Sequence, residues 1–227
     1  MLELIFSLPI IVFGGFFLLL FTVSAIREYC RSTRLAHEAS AKGLEYSADD
    51  SAIEFDTTDL SLCRNGHSFA YSHCIHGHLG GREIHIVDLR FTVGKGRGRA
   101  TVEQTLIILN VQEERFHTFI LRPEGIFDKI TDIFGHEDID FPDHPEFSKR
   151  YHLLSNTPAD TLRAVFPRTI LDTLLRFKGL SIECQDGWIV FYRRYKVMPA
   201  RQIMGFAEQF LEITNRMAQA VLAIPSP

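Results

Sequence analysis

Apolar and polar positions fall into distinct regimes along this chain. From Leu4 to Ile26, 23 residues carry no charge. A helix of that length, at about 1.5 Å per residue, covers about 35 Å, and a bilayer core is about 30 Å thick. The run predicts a retained transmembrane anchor over residues 1–26, since no Lys or Arg precedes it and it is too long for a signal-peptide core. Pro9 and the Gly14-Gly15 pair are tolerable in such a helix. Residues 27–43 turn polar and helix-compatible, which predicts a juxtamembrane helical stalk ending at Gly43. Residues 44–227 then predict one domain.

Within that domain the period shifts to two. Leu44–Phe55 and the Asp56–Asn65 stretch read as a strand with a short helical turn. Ser68–Leu79 and Arg82–Val93 flank Gly80-Gly81, a two-residue hairpin signal. Thr101–Gln112 and His117–Leu121 continue the β pattern. Pro123-Glu124 opens a helix carrying Ile126, Phe127, Ile130, Ile133 and Phe134, with Gly135 as its stop. Thr157-Pro158-Ala159-Asp160 supplies a cap, a first-turn proline and an acid ahead of a second helix; Ile170–Phe177 is a third.

A second hairpin spans Leu180–Val197 about Asp186-Gly187, pairing Cys184 with Ile189 and Ile182 with Phe191. From Pro199 to about Leu222, Ile203, Phe206, Phe210, Ile213, Met217 and Ala220 recur every three or four residues, one stripe of a helix that must be covered. Strands and helices segregate instead of alternating. The expected fold class is therefore α+β: a single N-terminal transmembrane helix followed by a soluble domain of antiparallel β hairpins packed with helices.

Charge refines the picture. Arg27, Arg31, Arg34 and Lys42 follow the apolar run, so the positive-inside rule places the N-terminus outside and the domain in the cytoplasm. Twenty-four basic against 28 acidic residues, a net charge of −4, speaks against a nucleic-acid partner. Four scattered cysteines do not make a disulfide scaffold.

Three constellations could carry chemistry. With a two-residue turn at Gly80-Gly81, Cys74, His76, His78, Glu83 and His85 share one sheet face, a donor set suited to a divalent metal, while Ile75, Ile84 and Ile86 face the core. That arrangement makes the histidine face the exposed one. The acidic-histidine stretch His136-Glu137-Asp138-Ile139-Asp140, with Asp143, His144 and Glu146, reads as a solvated loop pegged by Ile139 and Phe141. Lys95, Arg97 and Arg99 in the Gly94–Arg99 loop, with Arg27 and Arg31, are candidate contacts to anionic headgroups. No Gly-x-Ser-x-Gly, His-Glu-x-x-His or Cys-x-x-Cys signature is present.

The run Phe134-Gly135-His136-Glu137-Asp138-Ile139-Asp140-Phe141, followed by His144-Pro145-Glu146-Phe147-Ser148-Lys149-Arg150-Tyr151, resembles a stretch shared by uncharacterised bacterial single-pass membrane proteins. The resemblance covers most of residues 43–215. It implies a bacterial origin, and with it a cytoplasmic domain anchored by a single pass in a bacterial inner membrane, and brings no activity.

Function is expected to be that of a non-enzymatic, membrane-anchored accessory or scaffold subunit. It would dock on a larger membrane protein complex, of respiratory or photosynthetic type for example, through Phe13, Gly14, Gly15, Phe16, Phe17 and Phe21. Its partners would be other integral membrane subunits and membrane lipids, with no cofactor required. One alternative is a membrane-tethered metal-binding enzyme or sensor using the histidine face; another is a lipid- or ligand-binding module.

Overall fold

A computed structural model describes residues 2–49, 60–63, 66–114, 116–125 and 137–223, and for residues 2–12 and 14 the helical backbone alone. The helix expected from Pro123 to Gly135 lies outside these residues beyond Gly125, and Pro123 itself ends a strand; His136, residues 50–55 and most of the Asp56–Asn65 stretch also lie outside.

The chain begins with helix α1 (Leu2–Ser40), then strands β1 (Glu45–Ser47), β2 (Gly66–Leu79), β3 (Arg82–Val93), β4 (Ala100–Asn110), β5 (Phe119–Pro123) and β6 (Glu137–Asp138). The short helix α2 (Pro145–Ser148), β7 (Tyr151–Ser155), α3 (Ala159–Val165) and α4 (Arg168–Leu174) precede the hairpin β8 (Leu180–Gln185) and β9 (Trp188–Arg193). Helix α5 (Ala200–Leu222) closes the order. Among the described residues the strands form one nine-stranded sheet, ordered β1-β2-β3-β4-β9-β8-β5-β7-β6, and every neighbouring pair is antiparallel.

Period-two alternation divides the apolar residues between the two faces. Ile84, Ile86, Ile107, Leu109, Ile189 and Phe191 face the helices. Val87, Leu89, Phe91, Leu106, Ile108, Val190 and Tyr192 face the other way, where Leu60 and Cys63 cover them. On the helical side α5 buries its stripe against the sheet, and the Phe210 ring stacks on Phe191 at 4.5 Å between centroids.

Both hairpins stand in the expected register: His76 opposite His85, Cys184 opposite Ile189. Their turns need left-handed backbone, supplied by Gly80 and Gly81 (φ +58° and +84°) and by Asp186 and Gly187 (φ +50° and +79°). Helix α3 differs from expectation at its start. Its cap is Pro158, with no side-chain hydrogen bond, and Thr157 instead donates its backbone N–H to Ser155 Oγ at 3.1 Å.

The transmembrane anchor is overturned. Residues 1–26 are not a separate segment; from Leu2 onward they run without a break into the polar helix that ends at Ser40. Among the described residues no helix is long and apolar enough to cross a membrane. With the anchor falls the expected single-pass inner-membrane location, its outside N-terminus and cytoplasmic domain.

The polar part of α1 is an element of the core. Leu35 and Ala39 are fully buried, and α1 packs along α5 and against β1 and β2. Arg31 fixes the crossing point: Nε and Nη2 donate to Asp88 Oδ2 of β3 at 2.9 and 2.6 Å, and Nη1 donates to the Met198 carbonyl at 2.8 Å. Asp88 Oδ1 accepts from Thr105 Oγ1, which in turn accepts from the Met198 N–H at 2.9 Å. A ring of hydrogen bonds thus joins α1, β3, β4 and the approach to α5.

Candidate functional site: the projecting half of helix α1

Beyond Glu28, α1 leaves the domain. Ser32 Oγ meets Tyr46 OH of β1 at 2.8 Å, and one turn earlier Glu28 Oε1 meets His73 Nε2 of β2 at 2.8 Å. His73 can turn to the helix because a bulge between Ser72 and Ile75 places it at φ +55°. These contacts progress toward the end of β2 that pairs with Val93, so α1 leaves the sheet at the end carrying the Gly94–Arg99 loop.

From Phe13 on, the described side chains of this half meet no core. Phe16, Phe17, Phe21 and Tyr29 expose 54–74% of their surface, and Leu18, Leu19, Leu20 and Ile26 about half or more. Nothing lies within 4 Å of where a Cβ on Gly15 would be, and Gly14 continues the helical backbone beside it. Arg27 is exposed, as are Lys95, Arg97 and Arg99 of the loop. Arg31 is not free for a headgroup, because Asp88 holds it. Where α1 departs, a groove of about 820 Å³ runs between it and the start of α5, lined by Cys30, Arg34, His37 and Arg201 among others.

The histidine face does not gather as a metal set. Cys74 is fully buried, and burial, with the Asp49 charge adding, pushes its thiol up to about 11, away from the thiolate a metal would need. His85 is buried too: Nε2 lies 3.1 Å from Glu83 Oε1, its ring meets Trp188 edge-on at 5.6 Å, and His76 stacks at 6.4 Å. Glu83 Oε2 accepts from Asn110 Nδ2 at 2.8 Å, and that bond foremost holds its carboxyl below the ordinary range. His78 pairs across from Glu83 in the ladder. Among the described residues no group of three or more His, Cys, Asp or Glu converges on a point. The expected exposure fails at Cys74 and at His85, which Trp188 of β9 covers, whereas His78 is exposed and His76 and Glu83 are half-buried.

The acidic-histidine stretch disperses. Asp138 Oδ2 lies 2.6 Å from His152 Nδ1, and His144 Nε2 lies 2.8 Å from Asp172 Oδ1. Ile139 and Phe141 are buried.

One cluster has no local signature in the sequence. Glu183 of β8, 1% exposed, accepts from the Ser61 N–H at 2.8 Å, from Ser61 Oγ and from Tyr192 OH, with Arg122 Nη2 at 3.9 Å. Burial first, then the Glu183 charge, raises the Tyr192 phenol well above its usual range. The cluster clamps the covering Leu60–Cys63 segment to the sheet. Its trace in the sequence is a charged residue between apolar neighbours in each of two strands, Glu183 and Arg122.

No family model matches the chain, and no curated protein matches it. Among solved structures it is similar to the crystal structure of the mycobacterial trehalose monomycolate transport factor A, TtfA. The TM-score is 0.56 at 13% identity, over 86% of this chain and 98% of that one. The likeness is one of fold.

Proposed function

We propose that the chain is a non-enzymatic accessory subunit that docks on a larger membrane protein complex through the projecting half of α1. The observation behind this reading is the row Phe13, Phe16, Phe17 and Phe21, solvent-exposed on a helix that its own domain leaves uncovered. Large exposed apolar patches are uncommon on monomers and mark interaction surfaces. Arg27 and the Lys95, Arg97 and Arg99 loop add a cationic rim at the same end, suited to an apolar groove bordered by acidic side chains or anionic headgroups. The structural neighbour is named a transport factor, which favours an assisting role for this fold over a catalytic one.

The test is site-specific. A photo-crosslinking residue at position 17 or 21, in the cell of origin, should give one discrete adduct with an integral membrane protein, and at position 216 on the far helix none. Phe17→Asp with Phe21→Asp should abolish recovery of that protein with the tagged chain. Crosslinks to lipid alone, or none, would overturn the docking reading.

A further inference from the structure

On the helical side, between α4, α5 and the end of β9, lies a second cleft of about 710 Å³. Phe177, Phe206 and Ile213 give it an apolar wall, and Arg176, Arg193 and Arg216 bring three guanidinium groups to it. Its two carboxylates are already occupied. Glu212 accepts from Arg216, and Asp172 is hydrogen-bonded to His144 Nε2 at 2.8 Å.

That leaves Arg193 and Arg176. The Arg193 guanidinium carbon sits 5.0 Å above the Phe206 ring centroid. Its Nε is buried with no hydrogen-bond partner, and among the described residues the side chain has no ion pair. Arg176 is exposed at the rim and also without a carboxylate there. A guanidinium stacked on a ring keeps its in-plane N–H donors available, and their fork matches a carboxylate or phosphate. A buried donor without a partner is costly, so a stack of this kind marks a place where an acceptor is missing.

We propose that this cleft binds an anionic amphiphile, a carboxylate or phosphate monoester head held by Arg193 and Arg176, with its apolar chain laid over Phe206, Phe177 and Ile213. The inference stands apart from the docking role of α1.

Calorimetric titration of the full chain with dodecanoate, dodecyl phosphate, neutral dodecyl maltoside and inorganic phosphate, each below micelle formation, tests it. One of the two anionic amphiphiles should bind saturably, and the tighter one names the head. Losing a charge-assisted fork should weaken that binding about tenfold in Arg193→Gln and severalfold in Arg176→Gln. Arg176 is exposed, so that variant should keep the parent unfolding midpoint and remains informative if Arg193→Gln folds poorly. Phe17→Ser with Phe21→Ser should leave the affinity unchanged, separating the cleft from α1. The proposal is overturned by equal binding of the neutral amphiphile, by unchanged affinity in both arginine variants, by inorganic phosphate binding as tightly as dodecyl phosphate, or by no saturable binding.

Discussion

Arg31 and Asp88 lie 57 positions apart in the chain and meet through two hydrogen bonds, the shorter at 2.6 Å. The pair is mostly buried, and Asp88 is also held by Thr105. Breaking a buried pair leaves a charge without compensation. Arg31→Ala should cost about 2–3 kcal/mol, somewhat under the fully buried case. Asp88→Asn should cost a similar amount, and the double variant less than their sum. Urea unfolding of the four proteins measures the coupling.

Glu183 should prove more demanding. Glu183→Ala strands buried Arg122 and removes the acceptor of Ser61 and Tyr192. A loss of about 3–5 kcal/mol is expected, against about 1 kcal/mol for Tyr192→Phe, which removes one hydrogen bond. Replacing Glu183 and Arg122 together by Leu and Met should recover most of the loss. Thermal melts of the three variants decide this, and equal melting of Glu183→Ala and the parent would refute the clamp.

Two turn glycines separate backbone strain from crowding. Gly81 has φ +84° and nothing within 4 Å of a would-be Cβ; Gly187 has φ +79°, and a Cβ there would meet Gln112 Cγ at 2.3 Å. Gly81→Ala should therefore cost about 1–2 kcal/mol, the left-handed penalty alone. Gly187→Ala should cost clearly more, because Gln112 and the Val111 N–H bond to the Gly187 carbonyl (2.7 Å) must shift.

Thiol chemistry should be graded by burial. Cys30 is exposed; Cys63, Cys74 and Cys184 are buried. Burial raises the Cys74 thiol to about 11 and the Cys184 thiol further. At pH 8 iodoacetamide should modify Cys30 within minutes and the other three only after denaturation, as peptide mass mapping would report.

Glu83 predicts the direction of one pH effect. Its carboxyl lies lower folded than unfolded, so its contribution is complete above the unfolded value, about 4.3, and is lost as pH falls through the folded one. Removing the Asn110 donor with Asn110→Ala should move the Glu83 titration upward, seen in its side-chain carboxyl NMR shift, and flatten stability below about pH 4.

What was legible in the sequence is what local chemistry decides. Gly80-Gly81 and Asp186-Gly187 set two registers, and the stripe from Ile203 to Met217 gave α5 its face. The histidine face went wrong although its register was right, since Asn110 and Trp188 arrive from strands β4 and β9 and consume or cover its donors. Helix α1 misled in another way. Its apolar run matches the pattern of a bilayer span, whereas Leu35, Ala39 and Arg31, in the polar half, tie the helix to the sheet. Ser61 and Glu183, 122 positions apart, share no local pattern.

The outermost strands of the sheet, β1 and β6, are only three and two residues long. Such stubs present few unpaired backbone groups to an incoming strand. β1 pairs with Cys74, Ile75 and His76 alone of the fourteen residues of β2, so among the described residues most of β2 has no strand on that side, and strand addition between copies would take place there and not on β1.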